Sequence, residues 1–388
     1  MCYFDYQTFK KINKIKKFFI YFIPLFLILY ILFYAFTPQS YLKKHIILFQ
    51  IKKGYSLKTI SFKLYKKNIV SNPYLFYFIG FITGYSRYIE SGTYYVSLNE
   101  SPASIYYKFV NGKIATTKVT VIPGMNIFQI AMILNEKHVV KEINFIKASF
   151  NKDILLSIGI DKKSAEGVLY PDTYIFKINS TSKSVLKKMF NEFKLKTKNL
   201  KISYKDLIIA SIVIKETNGK KDMKTVSSVF HNRLDINMPL ESDPTNIYAK
   251  DLSIFKKCIS NARYKNNKKN INRINNKTKY DGQKNNIKLT YVNNINNSVK
   301  KKIKTKNFYL KFPVSMNPSY LNIKSKYNTY KNYGLPPSPI ANPNIAAIIA
   351  AIHPLKTNYL YFIATKKGKT IFAKSLNTQN NNIDKYLK

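Results

Sequence analysis

Ser203-Tyr-Lys-Asp-Leu-Ile-Ile-Ala-Ser-Ile-Val-Ile-Lys-Glu-Thr-Asn-Gly219 is the stretch around which the rest of the chain is read. Ser203 followed three residues later by Asp206 reads as an N-cap with a capping-box partner, and Gly219 as a residue just past the helix end. Between them Ile209, Ile212, Val213 and Glu216 recur at i, i+3, i+4 and i+7. That spacing predicts a helix with an apolar face that carries a carboxylate in its last turn. An ionised carboxylate there is costly unless it meets a cation, and the negative end of the helix dipole disfavours the charge further. Both effects suit a general acid. A glutamate that simply reaches solvent at a helix end is the plainer reading, and the company Glu216 keeps decides between them. Val226-Ser-Ser-Val-Phe-His-Asn-Arg-Leu234 and Pro239-Leu-Glu-Ser-Asp-Pro-Thr-Asn-Ile-Tyr248 follow closely.

Working outward, 388 residues with 45% apolar content suffice for two or more domains with real cores. The formal charge of +46 is almost all lysine, spread evenly among Asn, Ile, Tyr and Phe. An even spread is a compositional bias rather than a basic site, so it argues against nucleic acid as a partner. Attraction to an anionic wall polymer or anionic lipid is the better consequence. Phe18 to Phe36 is a nineteen-residue run without a charge, interrupted only by Pro24. It is long enough to span a hydrocarbon core of about 30 Å. Lys10, Lys11, Lys14, Lys16 and Lys17 precede it, which predicts a cytoplasmic residue 1–17 segment and an external remainder. The run exceeds a usual signal-peptide core and no Ala-x-Ala site follows, so an uncleaved single-pass anchor is expected. Cys2 and Cys258 fall on opposite sides of that membrane, and the four histidines show no metal-ligand spacing.

Residues 41–113 alternate short strands with helical spacing, as in a compact mixed module. Lys118 to Ile122 is a candidate strand, and Asn126 to Leu134 a candidate helix. Glu166-Gly-Val-Leu-Tyr-Pro-Asp-Thr-Tyr174 sets a rigid turn between aromatic residues, as found in sugar clefts and in ordinary turns alike. In residues 261–300, 21 of 40 residues are Asn or Lys, so a flexible surface insertion is expected within about 250–325.

Taken together, these motifs resemble the membrane-anchored endolytic murein lytic transglycosylases, the YceG-like group. The likeness rests on Glu166 to Tyr174, Ala210-Ser-Ile-Val-Ile-Lys-Glu-Thr217, Val229-Phe-His-Asn-Arg-Leu234 and Asp243-Pro-Thr-Asn-Ile-Tyr248. It continues through Tyr327-Asn-Thr-Tyr330, Gly334-Leu-Pro-Pro-Ser-Pro-Ile-Ala-Asn-Pro343 and Tyr359-Leu-Tyr-Phe362. The resemblance implies an α+β protein with a transmembrane helix (18–36), a small LysM-like module (41–113) and a YceG-like catalytic domain (116–388). It implies that Glu216 is the catalytic acid/base, acting without a cofactor. Asn232, Asp243, Thr245, Asn328, Thr329 and Tyr330 are suited to the sugar's hydroxyls and amide, and Tyr170, Tyr174, Tyr248 and Tyr330 to stacking on its rings. The chain departs from the family pattern at Ile214, where the family has a first Glu, and at Glu241, where it has Gln. Thr370 and Gln379 stand where it has histidines.

The expected partners are peptidoglycan glycan strands and the bacterial cytoplasmic membrane, with peptidoglycan synthases as further candidates. The expected reaction cleaves the bond between N-acetylmuramic acid and N-acetylglucosamine inside nascent strands, leaving 1,6-anhydro ends and terminating elongation. A catalytically inactive wall-binding scaffold is the rival reading, prompted by the lost family residues.

Overall fold

The computed structural model describes residues 6–40, 46–217, 219, 221–277, 317–365 and 368–387. In chain order the elements are α1 (Tyr6–Phe36), β1 (Ile46–Ile51), α2 (Leu57–Lys66), α3 (Pro73–Thr83), β2 (Gly92–Ser97), α4 (Pro102–Val110) and β3 (Thr116–Thr120). There follow α5 (Ile127–Glu136), α6 (Glu142–Ser149), α7 (Lys152–Leu156), β4 (Thr173–Lys177), α8 (Ser182–Thr197), α9 (Tyr204–Glu216) and α10 (Met223–Asp235). The chain closes with α11 (Asp243–Lys277), α12 (Ile345–Ile352), β5 (Tyr361–Ala364), β6 (Thr370–Ala373) and α13 (Leu376–Tyr386). The class is mixed α+β, and among the described residues the strands pair in twos: β1 with β2, β3 with β4, and β5 with β6.

The chain forms two compact units. The first comprises residues 1–119, 137–140 and 174–181. It begins with α1, of which Lys14–Phe36 is 23 residues long and apolar enough to cross a membrane. Antiparallel β1 and β2 run from the pair Ile46 and Ser97 to the pair Ile51 and Gly92. Their inner residues Phe49, Tyr94 and Val96 meet Ile60 and Leu64 of α2, Phe76 of α3, and Ile105 and Phe109 of α4 in one core. The helix starts are set locally: Ser56, Asn72 and Ser101 each accept a backbone N–H at an N-terminus, and Pro73 and Pro102 open the helices they begin.

The second unit comprises residues 120–136, 141–173 and 182–388. Its centre is α9. The capping box is formed, with the Asp206 N–H donating to Ser203 Oγ at 3.1 Å and the Ser203 N–H to Asp206 Oδ2 at 2.8 Å. The expected single apolar face understates this helix, because every residue from Leu207 to Val213 is buried. α12, built of Ile and Ala alone, packs on one part of its surface and α10 on another, so no face of that stretch meets water. The helix ends at Glu216 with extended Thr217 as its C-cap, whose N–H and Oγ both donate to Val213 O. Gly219 therefore lies beyond the cap and is not part of it.

The long insertion also differs from expectation at its start. α11 continues to Lys277 through residues expected to lack order, since extending an existing helix fixes one residue per added hydrogen bond. The remainder of that stretch, 278–316, lies outside the described residues.

Candidate active site

Glu216 sits in the last turn of α9, and the chain's sharp exit at Thr217 leaves its carboxyl at the wall of a cleft of about 520 Å³. Thr217, Gly219, Lys221 and Asp222 continue that wall from the α9–α10 connection, and Ala364, Gly368, Lys369 and Thr370 supply the rest from the β5–β6 hairpin. The carboxyl is half-buried. Ser242 Oγ donates to Glu216 Oε1 at 2.6 Å. Burial pushes the Glu216 carboxyl up to about 7, and the charge of Asp243 raises it too. The Ser242 bond, Lys215 and Arg233 pull the other way, so the proton is held but releasable near neutrality.

Ser242 is itself fixed. Arg233, in the last turn of α10, donates through Nε to Leu360 O at 2.7 Å and through Nη1 to Pro239 O at 3.0 Å and Leu240 O at 3.1 Å. It also pairs with Glu241 at 3.1 Å. This clamp holds Glu241 in a left-handed conformation at φ +50°, which a side-chain-bearing residue adopts only when its surroundings impose it. From the other side Thr329 Oγ1 accepts the Ser242 N–H at 3.0 Å, and Ser242 O accepts the Thr245 hydroxyl at 2.6 Å. A buried Ser, 1% exposed, is thereby aimed at one carboxyl oxygen.

The other residues singled out from the sequence divide into two groups. Asp243 and Tyr330 come together near Glu216: the Tyr330 hydroxyl donates to Asp243 Oδ1 at 2.7 Å, and the phenol's pKa is raised by burial first and by Asp243 next. Asp243 is exposed and Tyr330 partly so. Thr245, Asn328 and Thr329 have their polar atoms engaged inside the protein, and partly buried Asn232 has its amide nitrogen engaged there. Asn232 Nδ2 donates to Thr357 O and Tyr359 O, tying α10 to the segment entering β5. Asn328 Nδ2 donates to Leu321 O and Ile323 O. Thr245 and Thr329 share a 2.9 Å hydroxyl bond beneath Ser242. Tyr248 is 1% exposed and packs on Tyr327, with ring centroids 5.2 Å apart. Tyr174 is 4% exposed, stacks on Phe176, and belongs to the first unit.

Glu166 heads the other polar centre. It is 1% exposed and accepts the Ile127 N–H at 3.2 and 3.1 Å on its two oxygens, at the start of α5, and Asn342 Nδ2 at 2.8 Å. Asn342 Oδ1 in turn accepts the N–H groups of Gly167 and Leu169, both at 2.9 Å. Gly167 is left-handed at φ +88°, and a Cβ there would come within 2.6 Å of Pro339. The motifs around Glu166 and Asn342 thus staple three segments together. Burial pushes Glu166 up to about 8.

Sequence reasoning passed over Ser242 and Arg233 as functional residues, although both lie inside quoted motifs. The cleft residues Lys221, Asp222 and Lys369 carry no spacing signal, because two separate loops bring them together.

The YceG-like family model matches residues 49–385. A Bacillus subtilis (strain 168) protein named endolytic murein transglycosylase is 28% identical over 372 residues, covering 87% of this chain and 84% of that protein. A protein of the same name from Streptococcus pneumoniae serotype 2 (strain D39) is 28% identical over 232 residues, 57% of this chain. The match spans only 32% of that longer relative. A YceG-like protein of Listeria monocytogenes, with a crystal structure at 2.6 Å, is 26% identical with a TM-score of 0.47, over 87% of this chain and 99% of that one. With the family match running from residue 49 to residue 385, the chain belongs to the YceG-like family.

Proposed function

We propose that this protein is an endolytic murein transglycosylase, with Glu216 as its acid and then its base. The observation that carries the reading is a half-buried carboxyl, raised to about 7, held by one buried serine at a cleft wall. Ordinary glycosidases need two carboxylates, one to protonate the leaving oxygen and one as nucleophile or water activator. A lytic transglycosylase needs one. Protonated Glu216 donates to the oxygen linking N-acetylmuramic acid to N-acetylglucosamine, and that glycosidic bond breaks. The carboxylate so formed takes the proton from the muramyl C6 hydroxyl, whose oxygen closes onto C1 as a 1,6-anhydro ring. Glu216 is protonated again, and no water is consumed.

A group that must act first as acid and then as base works best with a pKa near the working pH. Ser242 contributes by donating more strongly to the carboxylate than to the acid, which stabilises the intermediate state. Asp243 and Tyr330, partly exposed near Glu216, are the best placed of the candidate sugar contacts; the buried residues serve by holding this frame. Lys221 and Lys369 give the cleft a positive rim suited to the carboxylates of muramyl peptides.

α1 fits an uncleaved single-pass anchor that holds the catalytic unit outside the cytoplasm, and the module at 41–113 fits a LysM-like wall-binding role. Internal cutting near the membrane would terminate nascent strands. A hydrolase is the competing reading, because Asp222 lines the same cleft and is a second carboxylate. Digestion of purified glycan strands with mass analysis of the products separates the two. Muramyl ends lighter by one water, on fragments of mixed length, support the transglycosylase; reducing muramyl ends support the hydrolase.

A further inference from the structure

The first unit carries an apolar surface that its own core does not use. α3 buries Pro73, Phe76 and Gly80 against that core. On its other side Tyr74, Tyr77, Phe78, Phe81 and Ile82 recur at i, i+3, i+4, i+7 and i+8 and are exposed, Phe81 at 68% and Ile82 at 64%. Tyr85 extends the stripe into the short turn Tyr85–Tyr88. From Ser71 to Ser86 there is no Asp, Glu, Lys or Arg. The solvent face of a helix in a soluble domain is ordinarily polar, whereas a helix apolar all round has a partner on each face. A contiguous stripe of this kind marks an interaction surface.

Its position names the partner. The last turn of α1 packs on this same module: Tyr34 and Ala35 are each 7% exposed, at the end of a helix that is otherwise largely exposed. The Tyr34 hydroxyl donates to Asn72 O at 2.6 Å, and the Asn72 side chain caps α3 by accepting from the N–H groups of Tyr74 and Leu75. α3 therefore starts where the membrane-length helix ends. Its eleven residues extend only about 16 Å, too short to cross a core of about 30 Å. Tyr and Phe along an uncharged stripe, followed by Arg87, suit the headgroup boundary, where aromatic rings concentrate and apolar helices lie in plane.

We propose that the exposed face of α3, with Tyr85, lies in the headgroup–acyl boundary of the same bilayer that holds α1, docking the first unit onto the membrane surface. The inference rests on α1 being an anchor. The test uses the full chain carrying Cys2→Ser and Cys258→Ser, reconstituted at high lipid-to-protein ratio in vesicles of phosphatidylethanolamine and phosphatidylglycerol. A nitroxide is attached, one protein at a time, at Phe26→Cys in α1, Phe81→Cys in α3, or exposed Lys58→Cys on α2. Accessibility to oxygen against a water-soluble nickel chelate reports depth. Phe26 should be deep and Phe81 shallow but immersed, with an oxygen-to-nickel ratio severalfold above that at Lys58. A Phe81 ratio equal to that at Lys58, with Phe26 still deep, overturns the docking and leaves the anchor standing. A Phe26 ratio equal to that at Lys58 overturns the anchor and the docking together. Dipolar broadening between Phe81 labels on separate chains would show a second copy covering this face, and also overturns the proposal.

Discussion

Replacing Ser242 by Ala should make Glu216 a weaker acid. Ser242 Oγ donates to the carboxyl at 2.6 Å, and it opposes the burial that pushes Glu216 up to about 7. A hydrogen bond to a charged acceptor is worth about 1.5–3 kcal/mol and one to a neutral acceptor about 1 kcal/mol. The difference, about 1 kcal/mol or somewhat more, favours the carboxylate, and about 1.4 kcal/mol corresponds to one pH unit. Loss of the hydroxyl should therefore raise the Glu216 pKa by about one pH unit. Asp243→Asn should act with the opposite sign, since the Asp243 charge raises the same pKa. Carbon-13 carboxyl NMR of labelled glutamate reads the titration directly, with the Glu216 signal identified by its absence in Glu216→Gln. In kinetics the free enzyme must be protonated to donate, so kcat/KM should fall above about pH 7 in the native protein. That limb should move to higher pH in Ser242→Ala and to lower pH in Asp243→Asn. General loosening of the site would move both variants the same way. A Glu216 pKa unchanged or lowered in Ser242→Ala would refute the assigned role of this bond.

Three further outcomes are expected. Arg233→Met leaves the carbonyls of Leu360, Pro239 and Leu240 without their donor, so guanidinium unfolding should show a loss of roughly 4–5 kcal/mol, at about 1.5 kcal/mol per charge-assisted bond. Glu166 is protonated up to about 8 when folded and ionises near 4.5 when unfolded, so its contribution to stability is full below 4.5 and is lost as pH rises through 8. Urea midpoints measured across that window should therefore decline with pH in the native protein and decline less in Glu166→Gln. Lys221→Ala and Lys369→Ala should each raise KM for peptide-bearing strands roughly threefold to tenfold at low salt with kcat unchanged, an effect that fades as salt screens the exposed charges.

Much of this was legible in the sequence because it is local. The Ser203–Asp206 box is set by contacts three residues apart and formed as its spacing predicts, and the Asn72 and Ser101 caps are equally local. The mixed class and the membrane-length helix followed from pattern and length. What the sequence concealed depends on distant segments meeting. The burial of α9 over its whole girth requires α12, more than a hundred residues away, and a single apolar face was all that α9 itself could indicate. Asn232 looks from its type like a sugar ligand, yet backbone carbonyls more than a hundred residues away occupy its amide nitrogen. Ser242 is aimed at Glu216 by the Arg233 clamp on one side and Thr329 on the other. Thr370, standing where the family pattern has a histidine, lines the cleft, while Gln379 is buried and donates to Phe362 O. The extension of α11 shows the converse, since composition alone does not stop a helix that is already running.

The central claim is that one carboxyl, Glu216, performs both proton transfers. Glu216→Gln keeps the shape and can still accept from Ser242, but it has no acid proton to give. Purified native and Gln proteins, matched in unfolding midpoint, should be incubated with the same glycan strands and their cleavage rates and muramyl ends compared. The account predicts that the native protein yields 1,6-anhydro ends and that the Gln variant is slower by a factor on the order of 10² to 10⁴. Cleavage by the Gln variant at the native rate would contradict it.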